Sequence, residues 1–313
     1  MTDSRRIPTI AAIGALSWDE LIILDRYPLE GGYSMIQRSV SAPGGTTGNI
    51  AVAARRLGAD VSLLAKVGTD QHGTELIDTL RSAGIRTDGC LTADGDTDLS
   101  MVLISELTAE RTILWNRGPF IQRRDRIDID RLFGADVTII DCVDYELRKF
   151  LTDLPAHTRP GACLIGTLTY LADVVACDKM TVALRHDILI GNEREYRELF
   201  GGGSGQECFD SVAAAMSGHN LRTAIMTSGA RGVQAVAASG RVTVPAREVI
   251  AVDTTGAGDA FVGAFAFAHA SRWPLERSLT FANAVASCVV ASVGAQTGLP
   301  SFAEALLAAG FST

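Results

Sequence analysis

The segment with the clearest chemical potential is Asp253–Asp259, which reads Asp-Thr-Thr-Gly-Ala-Gly-Asp and leads into the apolar stretch Ala260–Ala270. A glycine-rich turn that opens a helix leaves backbone N–H groups unpaired at the positive end of the helix dipole. Gly256 and Gly258 carry no Cβ and would let the backbone approach a bulky anion. Asp259 could be an ordinary helix cap. A carboxylate beside an anion nest also suits a base next to a transferring phosphoryl group.

A second glycine-rich segment is Gly44–Asn49, which reads Gly-Gly-Thr-Thr-Gly-Asn and leads into a helical pattern from Ile50 to Leu57. It can be a loop that caps a helix, or it can bring the backbone close to a polar ligand. The Asn49 amide offers both a donor and an acceptor to hydroxyl groups. From these residues alone, the two interpretations are equally open.

These two segments and four ordered landmarks resemble the ribokinase-like (PfkB) carbohydrate kinase family. Asp19 lies five residues after Gly14, at the end of a first apolar run. An Asn-x-x-Glu motif occupies Asn192–Glu195, and Thr227–Gly232 is similar to the family's nucleotide loop. Phe281–Ala284 begins a helix expected on the adenine side. The resemblance extends over nearly the whole chain.

The resemblance implies a role for each matching residue. Asp259 would be the catalytic base, and the amides of an anion hole would come from Gly256, Ala257 and Gly258. The hydroxyl groups of the acceptor would be held by Asp19, Gly44, Gly45 and Asn49. The nucleotide, ATP, would be bound by Asn192, Glu195, Thr227, Gly229, Gly232 and Asn283. Glu195 would hold Mg²⁺ partly through water, because Mg²⁺ keeps much of its hydration shell. Asp253, with the loop Ser292–Gly298, would bind a monovalent cation such as K⁺.

Short apolar runs alternate with helical patterns along most of the chain, as in parallel sheets covered on both faces. The predicted strands are Thr9–Ala15, Val61–Val67, Val137–Val143, Ala162–Thr167, Asp187–Gly191 and Thr223–Thr227. The predicted helices include Asn49–Leu57, Gly73–Ala83, Tyr145–Leu151, Asp210–Ser217, Gly258–His269 and Leu275–Val293. We therefore predict an α/β fold, a ribokinase-like three-layer α/β/α arrangement with a mostly parallel central sheet.

Two regions interrupt this alternation. Tyr33–Ser41 alternates polar and apolar residues, and Leu99–Glu106 with Thr112–Asn116 predicts a hairpin whose turn is Leu107–Arg111. We expect a small antiparallel β lid, inserted at about residues 17–42 and 97–118 of a single kinase domain that spans residues 1–313. Because so few strands cannot bury two faces, the lid should cover an active-site cleft, a partner subunit, or both.

Composition narrows the choice of partners. The formal net charge of -8, with no strongly basic block, argues against a nucleic-acid binder or a protein of anionic membrane surfaces. The uncharged stretch Ser278–Ala303 contains Asn283, Gln296 and Pro300 and fails as a membrane span. Six cysteines without a Cys-x-x-Cys pair suggest a reducing compartment, so we expect a cytoplasmic protein.

The sequence thus favours an ATP-dependent kinase that phosphorylates a hydroxyl of a small sugar, with a ketose or a pentose as the favoured acceptor. A nucleoside kinase of the same family is the alternative and would need an apolar slot for the base. A phosphorylated acceptor would need cations, and Arg38, Arg111 and Arg117 are the ones placed to contribute. A sugar sensor without catalysis is less favoured because Asp259, both glycines before it and the Asn-x-x-Glu motif are present. We also expect a homodimer formed through the lid.

Several further residues are candidates for acceptor contacts. Asp141 and Asp144 follow a predicted strand and could reach the cleft, or they could be solvated strand ends. Trp18 and Trp115 could pack against a sugar face or fill the core of the lid.

Overall fold

Strands and helices alternate along the chain in a computed structural model that describes residues 6–108, 111–154, 162–200 and 202–312. The strands are β1 (Thr9–Gly14), β2 (Ser17–Leu24), β3 (Ile36–Gly44), β4 (Asp60–Leu64), β5 (Lys66–Gly68), β6 (Leu91–Ala93), β7 (Leu99–Ser105), β8 (Arg111–Asn116), β9 (Val137–Asp141), β10 (Cys163–Thr167), β11 (Ile188–Asn192), β12 (Thr223–Thr227), β13 (Val233–Ala237) and β14 (Gly240–Val244). The helices are α1 (Thr46–Arg56), α2 (Gln71–Ser82), α3 (Ile129–Phe133), α4 (Tyr145–Asp153), α5 (Lys179–Ala183), α6 (Glu193–Phe200), α7 (Gly205–Ala215), α8 (Ala257–Ala270), α9 (Leu275–Val289) and α10 (Phe302–Ala308).

The central sheet has eight strands in the order β14-β13-β12-β11-β10-β9-β1-β4. The strands from β12 to β4 are parallel, and β13 and β14 add an antiparallel hairpin at one edge. The predicted mostly parallel sheet is confirmed, although the hairpin was not expected. The predicted strand Val61–Val67 is divided in two, because β5 leaves the central sheet and pairs with β6.

Both faces of the central sheet are covered by helices. Along β1, Ile10 and Ala12 pack into a core with residues of α1, α8 and α9. The alternate residues Ala11 and Ile13 pack into a second core with residues of α3 and α4. This period of two places apolar side chains on both faces, as the three-layer prediction requires. The α/β/α arrangement is confirmed. None of the helices described here has the length and hydropathy that a membrane span requires.

A separate four-stranded sheet, called the small sheet below, has the order β3-β2-β7-β8. Its outer pairs are antiparallel, whereas β2 and β7 pair in parallel. A small sheet was predicted in this place, but the parallel central pair corrects the expectation of a purely antiparallel one. A two-residue hairpin cannot join parallel strands, and here α1 and α2 lie between β2 and β7 in the chain. Residues 109 and 110 of the predicted turn lie outside the described residues.

Candidate active site

A cavity of about 790 Å³ lies between the small sheet and the carboxyl ends of the central strands, the edge where ligands bind in open α/β sheets. Alternate residues of β2, β7 and β8 form one wall: Ser17, Asp19, Ser100, Val102, Ile113 and Trp115. The opposite side is formed by the ends of β10, β11 and β12 and by the start of α8. Most of the predicted site residues line this space: Asp19, Gly45, Asn49, Asn192, Glu195, Thr227, Gly229, Gly256, Gly258 and Asp259.

The start of α8, where an anion nest was predicted, is shaped by its two glycines. Its N-cap is Gly256, whose φ of 74° lies in the left-handed region, and a Cβ there would meet the Cβ of Ala295 at 2.4 Å. A Cβ on Gly258 would meet nothing within 4 Å, so the space in front of this residue is open. Ala257 does not line the cavity, and its N–H donates to Thr254 O at 3.3 Å.

Asp259 lies in the first turn of α8 but does not cap it, because Gly256 occupies the N-cap position. Its Oδ2 accepts a hydrogen bond of 2.8 Å from Asn49 Nδ2. Burial raises the pKa of Asp259 to about 7, the hydrogen bond from Asn49 lowers it, and neighbouring carboxylates, Asp141 first among them, raise it further. A carboxylate that titrates near neutral pH can take up a proton during turnover and release it again.

Asp19 faces the same cavity from β2. Its Oδ1 accepts a hydrogen bond of 2.7 Å from Ser17 Oγ, and burial raises its pKa to about 6. Gly44 lies behind Asp19 rather than on the cavity surface, and a Cβ there would lie 2.0 Å from Asp19 Oδ2. Gly45 has a φ of 83° and leaves no room for a Cβ, which would lie 2.5 Å from the backbone nitrogen of Ser17. The glycine pair therefore allows α1 to begin directly against β2.

Asn192 and Glu195 form a reciprocal pair at the start of α6. Asn192 N donates to Glu195 Oε2 at 2.9 Å, and Glu195 N donates to Asn192 Oδ1 at the same distance. This is the geometry of a capping box, in which each side chain satisfies the other's backbone amide. Burial raises the pKa of Glu195 to about 7. The motif therefore stabilises the helix end and also presents a buried carboxylate to the cavity.

Besides Gly44 and Ala257, three further predicted site residues do not line the cavity. Asn283 Nδ2 donates to Pro245 O at 2.8 Å, so this side chain joins α9 to the segment after β14. Gly232 shapes the turn before β13, where a Cβ would lie 2.1 Å from Val244 O. Asp253 accepts hydrogen bonds from Thr255 N at 2.9 Å and from Gly294 N at 2.8 Å, and so holds two loops together.

Residues 9–301 match the model of the pfkB family of carbohydrate kinases. The chain belongs to this family. It is similar to a ribokinase from Bacillus subtilis, 31% identical over 93% of this chain and 96% of that protein, and to a probable fructokinase-5 from Arabidopsis thaliana, 26% identical over 93% and 95%. An Arabidopsis thaliana ribokinase complexed with ribose and ATP shares the fold, with a TM-score of 0.84 and 21% identity over 98% of this chain and 100% of that one. The predicted family, fold and enzyme class, an ATP-dependent carbohydrate kinase, are confirmed.

Residues that the sequence did not single out complete the cavity of this pfkB family member. Asp98 is 8% exposed and accepts a hydrogen bond of 2.7 Å from Trp115 Nε1, and burial raises its pKa. Tyr170 lines the cavity, bonds to the side chain of Thr46, and has a pKa that burial raises, so it stays protonated. One signal for Asp98 was available: it directly precedes a predicted lid strand.

Two acidic candidates for acceptor contacts do not reach the cavity of this kinase. Asp141 is fully buried and accepts hydrogen bonds from Thr47 Oγ1, at 2.8 Å, and from Thr167 Oγ1. Asp144 caps α4 by accepting from Leu147 N at 3.1 Å. Asp141 is therefore a buried carboxylate beneath the site, and Asp144 is the N-cap of α4.

The two tryptophans of the small sheet also differ in position. Trp18 stacks on His72, with ring centroids 5.0 Å apart, and faces away from the cavity, so it packs the outer side of the small sheet. Trp115 lines the cavity.

The cavity is strongly acidic. Among the described residues that line it, four are carboxylic acids, namely Asp19, Asp98, Glu195 and Asp259, and Arg194 is the one cation. Neither Arg38 nor Arg117 lines it, and Arg117 instead lies over the ring of Phe120 at 4.2 Å. The described lining therefore lacks the cluster of cations that a phosphorylated acceptor would need.

Proposed function

We propose that this protein transfers the γ-phosphoryl group of ATP to a hydroxyl of a small, uncharged sugar, a ketose or pentose before others. The observation that carries the proposal is the placement of Asp259. Its carboxylate lies at the open start of α8 and is held by Asn49, and its pKa of about 7 suits a general base. The same cavity places this carboxylate together with Asp19 of the small sheet.

In the proposed reaction, Asp259 takes the proton from the acceptor hydroxyl, and the backbone amides of Gly256 and Gly258 stabilise charge on the transferred group. The Ala257 amide is not assigned to this role, because it already donates to Thr254 O. Asp19 and Asn49 orient the acceptor, and Thr227 and Gly229 lie on the nucleotide side. The small sheet closes over the acceptor and excludes water that would otherwise compete for the phosphoryl group.

The acidic lining fits a divalent cation, and Glu195 is the carboxylate we place beside Mg²⁺. Nowhere in the described residues do three acidic, histidine or cysteine side chains converge to hold a metal by themselves. Water and phosphate oxygens would therefore supply the remaining ligands, as is usual for Mg²⁺. When bound, Mg²⁺ neutralises phosphate charge. A monovalent cation beside Asp253 remains a prediction, as do nucleotide contacts from Gly232 and Asn283.

The charge of the side chains that line the cavity favours an uncharged acceptor over a phosphorylated one. Among the described residues that line the cavity, four acidic side chains against one arginine disfavour a sugar phosphate and suit hydroxyl groups, which can donate hydrogen bonds to carboxylates. The ribokinase and fructokinase relatives support the same class. One observation favours a nucleoside as a second candidate: Val102, Ile113 and Trp115 form an apolar strip along the cavity wall, where a base could pack.

The assay that tests this function couples ADP release to a panel of neutral sugars, sugar phosphates and nucleosides. We expect turnover with a pentose or ketose and little with any phosphorylated sugar. Preferred turnover of a nucleoside would select the second candidate. Thermal shifts with sugars but no turnover of any acceptor would refute the kinase proposal and indicate a sensor.

Assembly and location remain predictions. On the small sheet, Leu114 is 51% exposed and Ile36 is 59% exposed, which suits pairing with a second copy of the chain. Sedimentation that shows a monomer would contradict the dimer. The cytoplasmic location is still predicted from the sequence alone, because six cysteines without a Cys-x-x-Cys pair suggest a reducing compartment.

A further inference from the structure

Gln296 connects the small sheet to Asp259 through a continuous series of hydrogen bonds. It lies in the loop between α9 and α10, and its Nε2 donates to Pro43 O of β3 at 3.2 Å and to Asn49 Oδ1 at 2.9 Å. Asn49 Nδ2 in turn donates to Asp259 Oδ2 at 2.8 Å. Asn49, the middle residue of the series, is 5% exposed, so water has little access to its amide.

The direction of every bond in the series is set by Pro43. A backbone carbonyl can accept a hydrogen bond but cannot donate one, whereas a side-chain amide has one end of each kind. The Gln296 NH₂ group must therefore face Pro43, and from there it also donates to Asn49 Oδ1. Once its oxygen is engaged, Asn49 can present only its NH₂ group to Asp259.

The orientation of Asn49 matters because Asp259 has to be ionised before it can accept a proton. A donor that faces a carboxylate favours the ionised form, and an amide oxygen in the same place would favour the protonated form. The other groups near Asp259 act in the opposite direction, since Asp141 of β9, Asp19 of β2 and Glu195 of α6 all raise its pKa.

The remaining neighbours do not lower the pKa of Asp259 and so do not offset the effect of these three carboxylates. Tyr170 stays protonated, and Arg194 is the one cation among the described residues that line the cavity. The hydrogen bond from Asn49 is thus the principal interaction that favours the ionised base.

We infer that Gln296 is a positioning residue that holds the Asn49 amide in the one orientation that donates to Asp259. Gln296 thereby keeps the base ready to accept a proton near neutral pH. The inference rests on the proposed function only for the role of Asp259 in catalysis. The hydrogen-bond series itself does not depend on which sugar is phosphorylated.

The test is the pH dependence of kcat in Gln296→Met, which keeps the length of the side chain, adds no charge and removes the donor. Losing a hydrogen bond to a charged group predicts that the acidic limb of the profile moves up by about one pH unit. At alkaline pH, where Asp259 is ionised in any case, kcat should return towards the wild-type value. Gln296→Glu, which in its ionised form cannot donate and adds a negative charge, should move the limb further.

The matched control is Gln71→Met, the same change at an exposed glutamine of α2 that bonds to Glu75 alone. It should leave the limb unchanged. A Gln296→Met enzyme that is folded by thermal unfolding and loses activity equally at all pH values would overturn the inference, because that pattern marks a merely structural role. If that variant does not fold, an unmoved limb in Gln296→Glu has the same meaning.

A second readout separates failure of this inference from failure of the proposed function. Carbon-13 NMR of aspartate carboxyl groups follows the ionisation of Asp259 without any turnover, and Asp259→Asn assigns the signal. A shifted titration in Gln296→Met, in a protein that phosphorylates no sugar, would keep the positioning role and discard the kinase proposal. An unshifted titration in a Gln296→Met protein that is still an active sugar kinase would discard the positioning role and keep the kinase proposal.

Discussion

Replacing Asp259 with asparagine should lower activity and raise stability at the same time. General-base removal typically costs 10²–10⁴ in rate, or about 3–5 kcal/mol of transition-state stabilisation, so we expect kcat to fall at least about a hundredfold. The fold should survive, because the new Oδ1 can accept the 2.8 Å hydrogen bond that Asn49 Nδ2 now donates to the carboxylate.

The gain in stability follows from the raised pKa of Asp259. The folded protein holds this proton more tightly than the unfolded chain does, so the wild-type free energy of unfolding declines as the pH rises from about 4 to about 7. The difference between a pKa of 3.8 and one of about 7 corresponds to about 4 kcal/mol at most. Solvent in the open cavity reduces this to about 1–2 kcal/mol at pH 8. Asparagine carries no charge to bury and avoids this cost.

The assay combines steady-state kinetics with urea unfolding at pH 8 and pH 4. Asp259→Asn should exceed the wild type in unfolding free energy at pH 8 and match it at pH 4, where both side chains are neutral. Asp94→Asn, the same change at an exposed aspartate, serves as the control and should alter neither quantity. Near-wild-type turnover, or a variant less stable than wild type at pH 8, would refute the reasoning.

Three further results are expected. In a urea titration, Gly256→Ala should lose about 1–3 kcal/mol of unfolding free energy, because it combines a left-handed φ with a Cβ placed 2.4 Å from the Cβ of Ala295. Gly258→Ala is the control and should unfold like the wild type, because its Cβ meets open space. Asp98→Asn should raise the KM for the sugar about tenfold and leave the KM for ATP unchanged, if a hydrogen bond to a charged group is lost there; equal changes in both constants would argue against an acceptor contact. Glu195→Gln should raise the Mg²⁺ concentration needed for half-maximal activity about tenfold, and an unchanged magnesium titration would remove this carboxylate from the metal site.

Much of the fold was predictable because its signals are local. The apolar run Thr223–Thr227 forms β12 with the predicted bounds, and the glycine-rich segments begin α1 and α8 within three residues of the expected positions. One of the misses has a physical reason in tertiary contacts. β5 leaves the central sheet to pair with β6, and no local pattern within Val61–Val67 marks that departure.

The candidate site was predictable where its chemistry lies in short motifs and not where it depends on distant partners. Asp141 follows an apolar run and suggests a strand end in the cleft, but Thr47 and Thr167 satisfy its oxygens in the interior. Gln296 meets Asn49 across 247 positions of the chain, so periodicity and spacing could not pair them. Asn192–Glu195 was recognised by its motif, while its second use as a capping box became visible only in the geometry.

The small sheet has a consequence for how this enzyme could diversify. Its cavity-facing side chains, which we assign to the acceptor, come from β2, β7 and β8, whereas the proposed base and the proposed amide nest lie at the start of α8. Substitutions confined to that wall, for example at Ser100 or Ile113, could therefore re-target the enzyme to another acceptor while the phosphate-handling half stays intact. Exchanging these strands between relatives would be a direct route to altered substrate range.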